Sequence, residues 1–395
     1  MDELRQLINA YDKASEEFSI IMDEACSRKF SKIDRFSNGA GRIALGDNLE
    51  YMKHLLFNEN MGGCIQLVYI DPPFFAREKF MSSIRLESDR LGTSPVIKIG
   101  AYDDNSGGSL QEYLQELCLR MMMIRELLTD TGIIWLHLDR RVTHYAKVLM
   151  DMVFGSDCFI NEVIWTYKSG GAGKKCFARK HDNLLVYSKS ARYKFNVLKE
   201  KSYNRDFKPY RFKGVEEFED ELGWYTMVNM KDVWQIDMVG RTSSERQGYA
   251  TQKPEKLMER IISSCSDAGD LCADFYGGSG AFAAACDRMG RNWISCDNNG
   301  SAVTTQISRM SSCDGGFIVL SADDWPQGTA VMNGDAIESY AAPLENIASS
   351  DKEIMSEYMR EDGCSFIRCC HSGTDECGEY LAGYDVLGNM FKIYM

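Results

Sequence analysis

Runs of apolar residues separated by amphipathic stretches predict an alternation of strands and helices along this chain. The run 64–70 predicts a buried strand, which ends at an Asp-Pro-Pro sequence because proline cannot continue a central strand. A second strand is expected at 133–138, followed by a helix at 141–154. Since strands that alternate with helices usually pair in parallel, the pattern predicts an α/β fold.

The stretch between these two strands is mostly polar. Residues 76–109 predict a long loop, and loops of that length in a compact domain are usually functional. A helix is expected at 109–128, with Ser109 as its N-cap and Glu112 as the capping-box partner.

A second series of strands and helices begins at Pro254. This proline opens a predicted helix, which is followed by a strand at 271–275, a glycine-rich turn and another helix. A strand at 293–296 then ends at Asp297. The order predicts a βαβ unit with glycines in its first turn, which is typical of nucleotide-binding folds.

Charge is distributed very unevenly along the 395 residues. The formal net charge of −13 argues at first against a nucleic-acid partner. Residues 166–214, however, hold 14 Lys and Arg against three acids, whereas residues 311–395 hold 15 acids against four bases. The net charge therefore says little about partners, and the basic segment is the informative part.

The 14 cysteines are scattered, and most lie in apolar runs, as a small hydrophobic residue would. The first residues are charged and helix-like, and no apolar stretch is long enough to cross a bilayer, so a cytoplasmic protein with reduced thiols is expected. A group near the C-terminus lacks the two Cys-x-x-Cys pairs of common zinc sites, so no metal is expected. It comprises Cys364, Cys369, Cys370, His371 and Cys377.

The first candidate site is Asp71-Pro72-Pro73-Phe74, at the end of a predicted strand, where parallel sheets bind ligands. The two prolines stiffen the turn and remove two N–H donors, which leaves carbonyl oxygens free to accept hydrogen bonds from an amino group. The Asp71 carboxylate adds an acceptor, and the Phe74 ring can stack on a base that carries the amine. An ordinary turn is the alternative.

The second candidate site lies between the strand at 271–275 and the helix that follows it. It consists of Asp274, Phe275, Tyr276, Gly277, Gly278, Ser279 and Gly280. Glycines there allow the backbone to approach a ligand, and Asp297 is well placed to bind ribose hydroxyls. Both features also suit a nicotinamide-dependent oxidoreductase, which stays open as an alternative.

In their order along the chain, these motifs resemble those of the amino-group DNA methyltransferases of the permuted β class. The Asp-Pro-Pro-Phe loop is similar to the family's D-P-P-Y/F motif, and the glycine turn is similar to its D-x-F-x-G-S-G motif. Three further segments match in the same order, at 46–50, 181–188 and 249–255. The resemblance covers about residues 41–310.

The resemblance implies a Rossmann-like S-adenosylmethionine-dependent methyltransferase fold with permuted strand order. Asp47 would contact the adenine of the cofactor, and Lys253 would help to hold its methionine end. The implied domains are an N-terminal helical extension (1–40), a catalytic half (41–165), a basic target-recognition insert (166–248), an S-adenosylmethionine-binding half (249–310) and a small acidic α+β appendage (311–395).

The implied reaction is methyl transfer to the exocyclic amine of a base flipped out of double-stranded DNA. The leading aspartate points to adenine N6 more often than to cytosine N4, which stays open, as does a catalytically silent DNA-binding subunit. A homodimer or a restriction subunit is a further partner that the resemblance allows. The sequence departs from the family at Ala281, which replaces a threonine, at Ala250, which replaces a proline, and at Phe74, which replaces the commoner tyrosine.

The basic segment 166–214 is interleaved with aromatic residues. Cations that attract phosphates and rings that contact bases are what a DNA-facing region needs. A solvated basic face is the alternative, but the position between the two halves favours DNA contact. The candidate DNA-binding residues are Lys174, Lys175, Arg179, Lys180, Lys189, Arg192 and Lys194.

Overall fold

A computed structural model describes most of the chain. The described residues are 2–36, 39–75, 79–85, 96–103, 108–169, 175–240, 242–247, 249, 251–310, 313, 315–322, 332–333, 336–337, 370–375, 378–384 and 390–394. Among the residues singled out above, Lys174, Ala250, Cys364, Cys369 and Cys377 lie outside them.

Helices and strands alternate in two parts of the described chain, from α3 to β7 and from α5 to β15. The helices are α1 (Asp2–Glu24), α2 (Asn48–Lys53), α3 (Leu110–Leu127), α4 (Thr143–Phe154), α5 (Glu255–Cys265), α6 (Ala281–Arg288) and α7 (Gly300–Met310). The first twelve strands are β1 (Phe30–Phe36), β2 (Gly41–Leu45), β3 (Ile65–Ile70), β4 (Lys79–Arg85), β5 (Val96–Asp103), β6 (Leu128–Leu138), β7 (Phe159–Thr166), β8 (His181–Ser188), β9 (Lys199–Tyr203), β10 (Phe218–Asp220), β11 (Gly223–Asn229) and β12 (Val233–Gln235). The remaining strands are β13 (Leu271–Asp274), β14 (Asn292–Asp297), β15 (Phe317–Ala322), β16 (Met332–Asn333), β17 (Ala336–Ile337), β18 (Cys370–Asp375), β19 (Gly378–Tyr384) and β20 (Met390–Tyr394).

Ten of these strands form one sheet, in the order β1-β15-β2-β14-β13-β3-β6-β8-β7-β12. The six strands from β15 to β6 are parallel, as the alternation of strands and helices predicts. β13 pairs directly with β3, so strands about 200 residues apart in the chain are neighbours at the centre of the sheet. This pairing brings the two predicted halves of the fold together.

Helices cover both faces of the central sheet. The hydrophobic core on one face is formed by the four helices α1, α2, α3 and α4 and by side chains of β3 such as Val68 and Ile70. The hydrophobic core on the other face is formed by α5, α6 and α7 and by the β3 side chains that point to that face, such as Leu67 and Tyr69. Because both faces are covered, β3 is buried along its whole length and reads as a continuous apolar run.

Several local predictions are confirmed. Ser109 caps α3, and its hydroxyl and the Glu112 carboxylate form both hydrogen bonds of a capping box. Pro254 is the N-cap of α5. The predicted loop 76–109 is wrong in part, because β4 and β5 form an antiparallel pair within it. The apolar residues of β4 are interrupted by Ser82 and Ser83, and those of β5 by Lys98, so neither strand was recognised as an apolar run.

The predicted domain boundaries need correction in three places. β8 and β12 lie in the central sheet, so residues 166–248 are not one separate insert. β1 and β15 pair at the other edge of the same sheet, so neither 1–40 nor 311–395 lies wholly outside the main fold. Both β8 and β15 are buried within the sheet, and each carries the apolar run that such a position requires. Within the described residues, no helix has the length and apolar character needed to span a membrane.

Candidate active site

Four carboxylates follow the ends of neighbouring parallel strands. Asp297 and Asp274 end β14 and β13, Asp71 follows β3, and Asp139 follows β6. Because the carboxyl ends of parallel strands lie at one edge of a sheet, these side chains come together there. The polar ends of the strands thus create an acidic edge on an otherwise apolar sheet.

A cavity of about 550 Å³ opens at this edge, within the size range of small-molecule sites. Ten of the predicted catalytic and cofactor-binding residues line it: Asp47, Asp71, Pro72, Pro73, Phe74, Lys253, Phe275, Tyr276, Gly278 and Asp297. Asp274 and Gly277 line a smaller adjoining cavity of about 40 Å³ that also contacts Asp71 and Lys253. The structure therefore brings the two candidate motifs into one site.

The two carboxylate oxygens of Asp71 have different surroundings. Oδ2 forms a short ion pair with the Lys253 ammonium group. Oδ1 is buried and accepts no hydrogen bond from the described residues, and it lies 3.7 Å from Nδ1 of His137. An unpaired buried oxygen is costly in a folded protein, so this atom is a strong candidate to accept a hydrogen bond from a ligand.

A buried hydrogen-bond network lies beside Asp71. The fully buried His137 is 2.8 Å from the Tyr69 hydroxyl through Nδ1 and 3.3 Å from Asp182 through Nε2. The other Asp182 oxygen accepts a hydrogen bond of 3.2 Å from Tyr167. Burial is the largest single contribution and would raise the pKa of Asp182, but the hydrogen bond and charge of His137, the charge of Lys253 and the hydrogen bond from Tyr167 together leave this pKa below its ordinary value.

The sequence analysis assigned no role to these network residues. Their signal was weak, because His137 is a single polar residue in the apolar run of β6, and Asp182 stands between His181 and Asn183 at the polar start of β8. They meet because β8 pairs with β6, a contact between segments about 45 residues apart. Such a contact has no local signature in the sequence.

Aromatic rings form one wall of the cavity. The Phe74 ring lies 5.8 Å from the His137 ring, and the Lys253 ammonium lies 5.6 Å from the Phe74 ring centroid. Trp165 and Tyr167 also line the cavity, with their ring centroids 5.1 Å apart. This wall offers flat apolar surface to a planar ligand beside the free Asp71 oxygen.

The glycine turn after β13 is tightly packed. A Cβ atom at Gly277 would overlap the Ser295 hydroxyl and lie 2.6 Å from Nε2 of Gln306, so only glycine fits there. Gly280 adopts a φ of +73°, which favours glycine, and it begins α6. The turn is held open toward the cavity because Gly278 N donates a hydrogen bond of 2.9 Å to Asp297.

Two carboxylates near this turn have raised pKa values. Burial raises the pKa of Asp274 to about 8, with further contributions from the charges of Asp71 and Asp297 and an opposing hydrogen bond from Tyr276 N. Burial also raises the pKa of Asp297 to about 6, against the backbone hydrogen bonds that it accepts. A concentration of buried carboxylates in a cleft is typical of a functional site that binds a cation or hydrogen-bond donors.

Asp47 is connected to the glycine turn through two residues that the sequence analysis did not single out. The Asn48 amide donates a hydrogen bond of 2.9 Å to Phe275 O. Arg120 Nε in turn donates to Asn48 Oδ1 at 2.6 Å, and its guanidinium lies 3.4 Å from the Asp47 carboxylate. Arg120 interrupts an apolar stretch of α3, which was the available signal. These contacts hold α2 and α3 against the glycine turn.

The donors and acceptors of the cavity fit S-adenosylmethionine. Its cationic sulfonium is compatible with the carboxylates at this edge, and Asp47 and Asp297 present acceptors for the N–H and hydroxyl groups of a nucleoside. Phe275 and Tyr276 also line the cavity.

The predicted DNA-binding residues do not form one surface. Lys175, Arg179 and Lys180 precede β8 and lie at the cavity edge, where Asn183 pairs with Leu138. Lys189, Arg192 and Lys194 follow β8 and lie at the opposite edge, about 25 Å away for a strand of eight residues. The described residues of the predicted set thus fall into two groups at opposite ends of β8, and their contact with DNA stays a prediction.

Two of the distant cations are also engaged within the protein. The Lys189 ammonium donates to the carbonyl of Leu128 at 2.6 Å, and Lys194 pairs with Asp270 at 2.6 Å and Asp267 at 3.0 Å. These contacts join the segment after β8 to the start of β6 and to the turn before β13. The linear sequence grouped them with the others because β8, which separates the two groups, carries few charges.

Residues 65–308 match a family model described as DNA methylase. The chain is 24% identical over 276 residues to the type II methyltransferase M.HpaI of Haemophilus parainfluenzae, which covers 70% of this chain and 76% of that protein. It is 32% identical over 189 residues to M.KpnI of Klebsiella pneumoniae, a match that covers 46% of this chain and 40% of that protein. It is 26% identical over 308 residues to M.EcaI of Enterobacter cloacae, a match that covers 62% of this chain and 64% of that protein. The chain thus spans less than two thirds of the last two relatives.

Solved structures with a similar arrangement include the cytosine-N4-specific PvuII DNA methyltransferase. Its identity to this chain is 16%, its TM-score is 0.44, and the match covers 69% of this chain and 89% of that one. A crystal structure of an M1.HpyAVI–SAM complex has a TM-score of 0.43 at 16% identity, over 68% and 98% of the two chains.

Proposed function

This chain belongs to the DNA methylase family, and from that premise we propose that it methylates N6 of adenine in double-stranded DNA. S-adenosylmethionine is the methyl donor in this family of amino-methyltransferases, and it supplies an activated methyl group on a sulfonium. The protein's own contribution is then to hold the target amine in the correct orientation.

The observation that carries the proposal is Oδ1 of Asp71, a buried oxygen that accepts no hydrogen bond from the described residues. Because Lys253 occupies Oδ2, one acceptor position is left for a single N–H of an amino group. The Pro72 carbonyl is the proposed acceptor for the second N–H. An amine held at both hydrogens has its nitrogen lone pair directed out of the plane of the base, where it can attack a methyl group in line.

The aromatic wall supports a flipped base as the carrier of the amine. An adenine in duplex DNA is stacked and paired, so its amino group reaches Asp71 only after the base has rotated out of the helix. Phe74 provides a stacking face, as tyrosine does in the commoner form of the motif, and Trp165 adds a second apolar surface.

Asp47, Asp297, Lys253 and the glycine turn are the proposed cofactor-binding residues. Asp297 accepts hydrogen bonds from Gly278 N and Asn299 N at 2.9 Å, and it lines the cavity, where a ribose hydroxyl can donate to it. Lys253 contacts Asp71, so its proposed role includes orienting the catalytic carboxylate. Asp274 lies deeper, and its proposed role is to hold the turn through Tyr276 N.

DNA would approach the cavity edge, where we place three of the predicted cations. Lys175 and Arg179 are exposed there beside Phe177, whose ring is 98% exposed. Together with Lys180 they would contact phosphates near the flipped base.

Expression in a host that lacks DNA methylation tests the proposal directly. We expect N6-methyladenine at one recurring sequence when the host DNA is sequenced and its nucleosides are analysed by mass spectrometry. N4-methylcytosine instead would overturn the choice of base. Unmethylated DNA with normal cofactor binding would identify a silent subunit, and tight binding of a nicotinamide nucleotide would support an oxidoreductase.

The variant Asp71→Ala tests the assignment of the carboxylate. We expect methyl transfer to fall by at least about 100-fold while the dissociation constant of S-adenosylmethionine changes little, since Asp71 contacts the amine. Asp157→Asn, which alters an exposed carboxylate after α4, is the control and should leave both values unchanged. An equal loss of transfer and cofactor affinity in Asp71→Ala would contradict the role assigned to Asp71.

A further inference from the structure

Tyr113 connects a helix to the loop that holds the proposed amine acceptors. It lies near the start of α3 and lines the cavity, and its hydroxyl donates a hydrogen bond of 2.8 Å to the carbonyl of Pro73. Tyr113 was not among the predicted site residues. The contact joins segments 40 residues apart, so it leaves no pattern near either residue in the sequence.

The backbone around Tyr113 is firmly held. Ser109 and Glu112 form the capping box that begins α3, and Tyr113 N donates a hydrogen bond of 3.1 Å to Ser109 O. The apolar face of α3, with residues such as Leu114, is buried in the core that it shares with α1. Because the helix is fixed on both counts, the Tyr113 hydroxyl orients the loop, and the loop does not orient the tyrosine.

The two prolines of the loop present neighbouring carbonyl oxygens with different surroundings. Pro73 O accepts the hydrogen bond from Tyr113, whereas Pro72 O accepts none within the described parts of the chain. The ring of Pro73 fixes its φ angle, and the peptide bond between the prolines is planar, so few free torsions separate the two carbonyls. Holding Pro73 O therefore also restricts the direction of Pro72 O, the proposed acceptor of the amine.

The backbone just after the loop is strained. Phe75 has a φ of +56°, in the left-handed region that non-glycine residues rarely adopt. Such conformations persist only where surrounding contacts enforce them. The Phe75 ring lies against the Tyr113 ring, with the two centroids 5.5 Å apart. Tyr113 thus contacts the loop at two places, through its hydroxyl at Pro73 and through its ring at Phe75.

The same face of α3 continues along the cavity to the glycine turn. Tyr113, Glu116, Leu117 and Arg120 have the i, i+3, i+4, i+7 spacing of one helical face, and all four line the cavity. Arg120 lies two turns after Tyr113, about 10 Å along the helix axis, and it donates to Asn48, which holds the turn. One rigid element therefore contacts both the amine-binding loop and the proposed cofactor side.

We propose that Tyr113 is a positioning residue for methyl transfer. It holds the loop so that Pro72 O and Asp71 Oδ1 face the amine together, at a distance from the cofactor that α3 sets. In-line transfer needs the reacting atoms about 3–3.5 Å apart, and a displacement of about 1 Å can cost about 100-fold in rate. The proposal rests on the proposed function, but it requires only transfer to an amine, whichever base carries it.

Tyr113→Phe tests the role of the hydroxyl, because it keeps the ring against Phe75. Unmethylated genomic DNA and S-adenosylmethionine with a labelled methyl group are supplied at saturating concentrations, and transfer is followed in a single turnover. We expect the rate to fall by about 10- to 100-fold. The dissociation constants of DNA and S-adenosylmethionine should change by less than about twofold, because the hydroxyl contacts Pro73 and neither ligand. A normal rate at saturation, or a loss confined to the two affinities, would overturn the proposal.

Tyr187→Phe is the matched control. Its hydroxyl donates a hydrogen bond of 2.5 Å to Asp151 of α4, and Tyr187 does not line the cavity. Each variant therefore loses one tyrosine hydroxyl that has a partner within the fold. We expect the transfer rate of Tyr187→Phe to lie within about twofold of the unaltered protein. An equal fall in both variants would overturn the proposal, because it would reflect a general loss of stability.

A crystal structure of Tyr113→Phe provides a readout that does not depend on activity. We expect the Pro72 carbonyl to be displaced while α3 keeps its place, and an unmoved loop would overturn the proposal. If the unaltered chain methylates DNA and Tyr113→Phe does so at the same rate, only the positioning role fails. If the unaltered chain transfers no methyl group to DNA, the proposed function fails, and the positioning role fails with it.

Discussion

The carboxylates at the cavity edge differ in the groups that surround them and in the protonation state that those groups favour. Asp71 is paired on one oxygen by Lys253 and left unpaired on the other, so the same carboxylate is both oriented and available. Asp182 is stabilised as an anion by His137, whereas burial favours the protonated form of Asp274. Neighbouring carboxylates at one edge thus have pKa values displaced in opposite directions by their different partners.

The raised pKa of Asp274 predicts a dependence of stability on pH. Between about pH 4 and pH 8 the folded chain keeps a proton on Asp274 that the unfolded chain has lost, so the free energy of unfolding falls as pH rises through this range. Asp274→Asn removes this contribution. We expect the free energy of unfolding of the variant, taken relative to that of the unaltered protein, to rise by more than about 1 kcal/mol between pH 5 and pH 8. Denaturant unfolding without cofactor measures this difference. A constant difference would show that Asp274 is ionised throughout.

Individual residues also show where inference from the sequence stopped. Asp71 and Asp297 were identified because each ends an apolar run, which is a local pattern. Asn48 was assigned no role, because its importance comes from its contact with Phe275, 227 residues away in the chain, and Arg120 was not identified, because it contacts Asn48 from 72 residues away. Residues that act by joining distant segments leave no pattern near their own position.

At the scale of elements, the turn between β13 and α6 depends on close packing against α7. Gly277→Ala should displace Gln306, whose Nε2 donates to Gly278 O at 3.3 Å, and so move the backbone that borders the cavity. We expect a loss of stability of about 1–3 kcal/mol and weaker binding of S-adenosylmethionine by calorimetry. Gly240→Ala is the control, because a Cβ atom there meets no neighbour within 4 Å. Equal behaviour of the two variants would refute the packing argument.

Elements with local signatures were predicted well, and elements defined by distant pairing were not. The capping box of α3 and the apolar run of β3 are each contained in fewer than 20 residues, and both are confirmed. β8 was grouped with a basic insert because charge was counted along the chain, whereas its position depends on β6 and β7. The same limit explains why cations at its two ends were assigned to one surface.

At the scale of the molecule, the N-terminal helix is part of the main core. α1 packs on the same face of the sheet as α3, and its Leu7 is 3% exposed, whereas Leu4 is 60% exposed. Leu7→Ala should therefore lower the free energy of unfolding of the described fold by about 2–5 kcal/mol, and Leu4→Ala should change it by less than about 0.5 kcal/mol. Denaturant titration followed by tryptophan fluorescence measures both. Similar small effects would mean that α1 is a detachable extension.

The pairing of β3 with β13 has a consequence for synthesis on the ribosome. The strand that ends at Asp71 leaves the ribosome about 200 residues before the strand that ends at Asp274, which corresponds to about 10–40 s at ordinary rates of elongation. During that interval one edge of β3, whose residues are apolar except for Gln66, has no partner, and such edges associate readily with other chains. Because of this order of motifs, the newly synthesised chain needs the edge of β3 to be shielded from other chains until β13 is made. The candidate active site can assemble only after most of the chain has been translated.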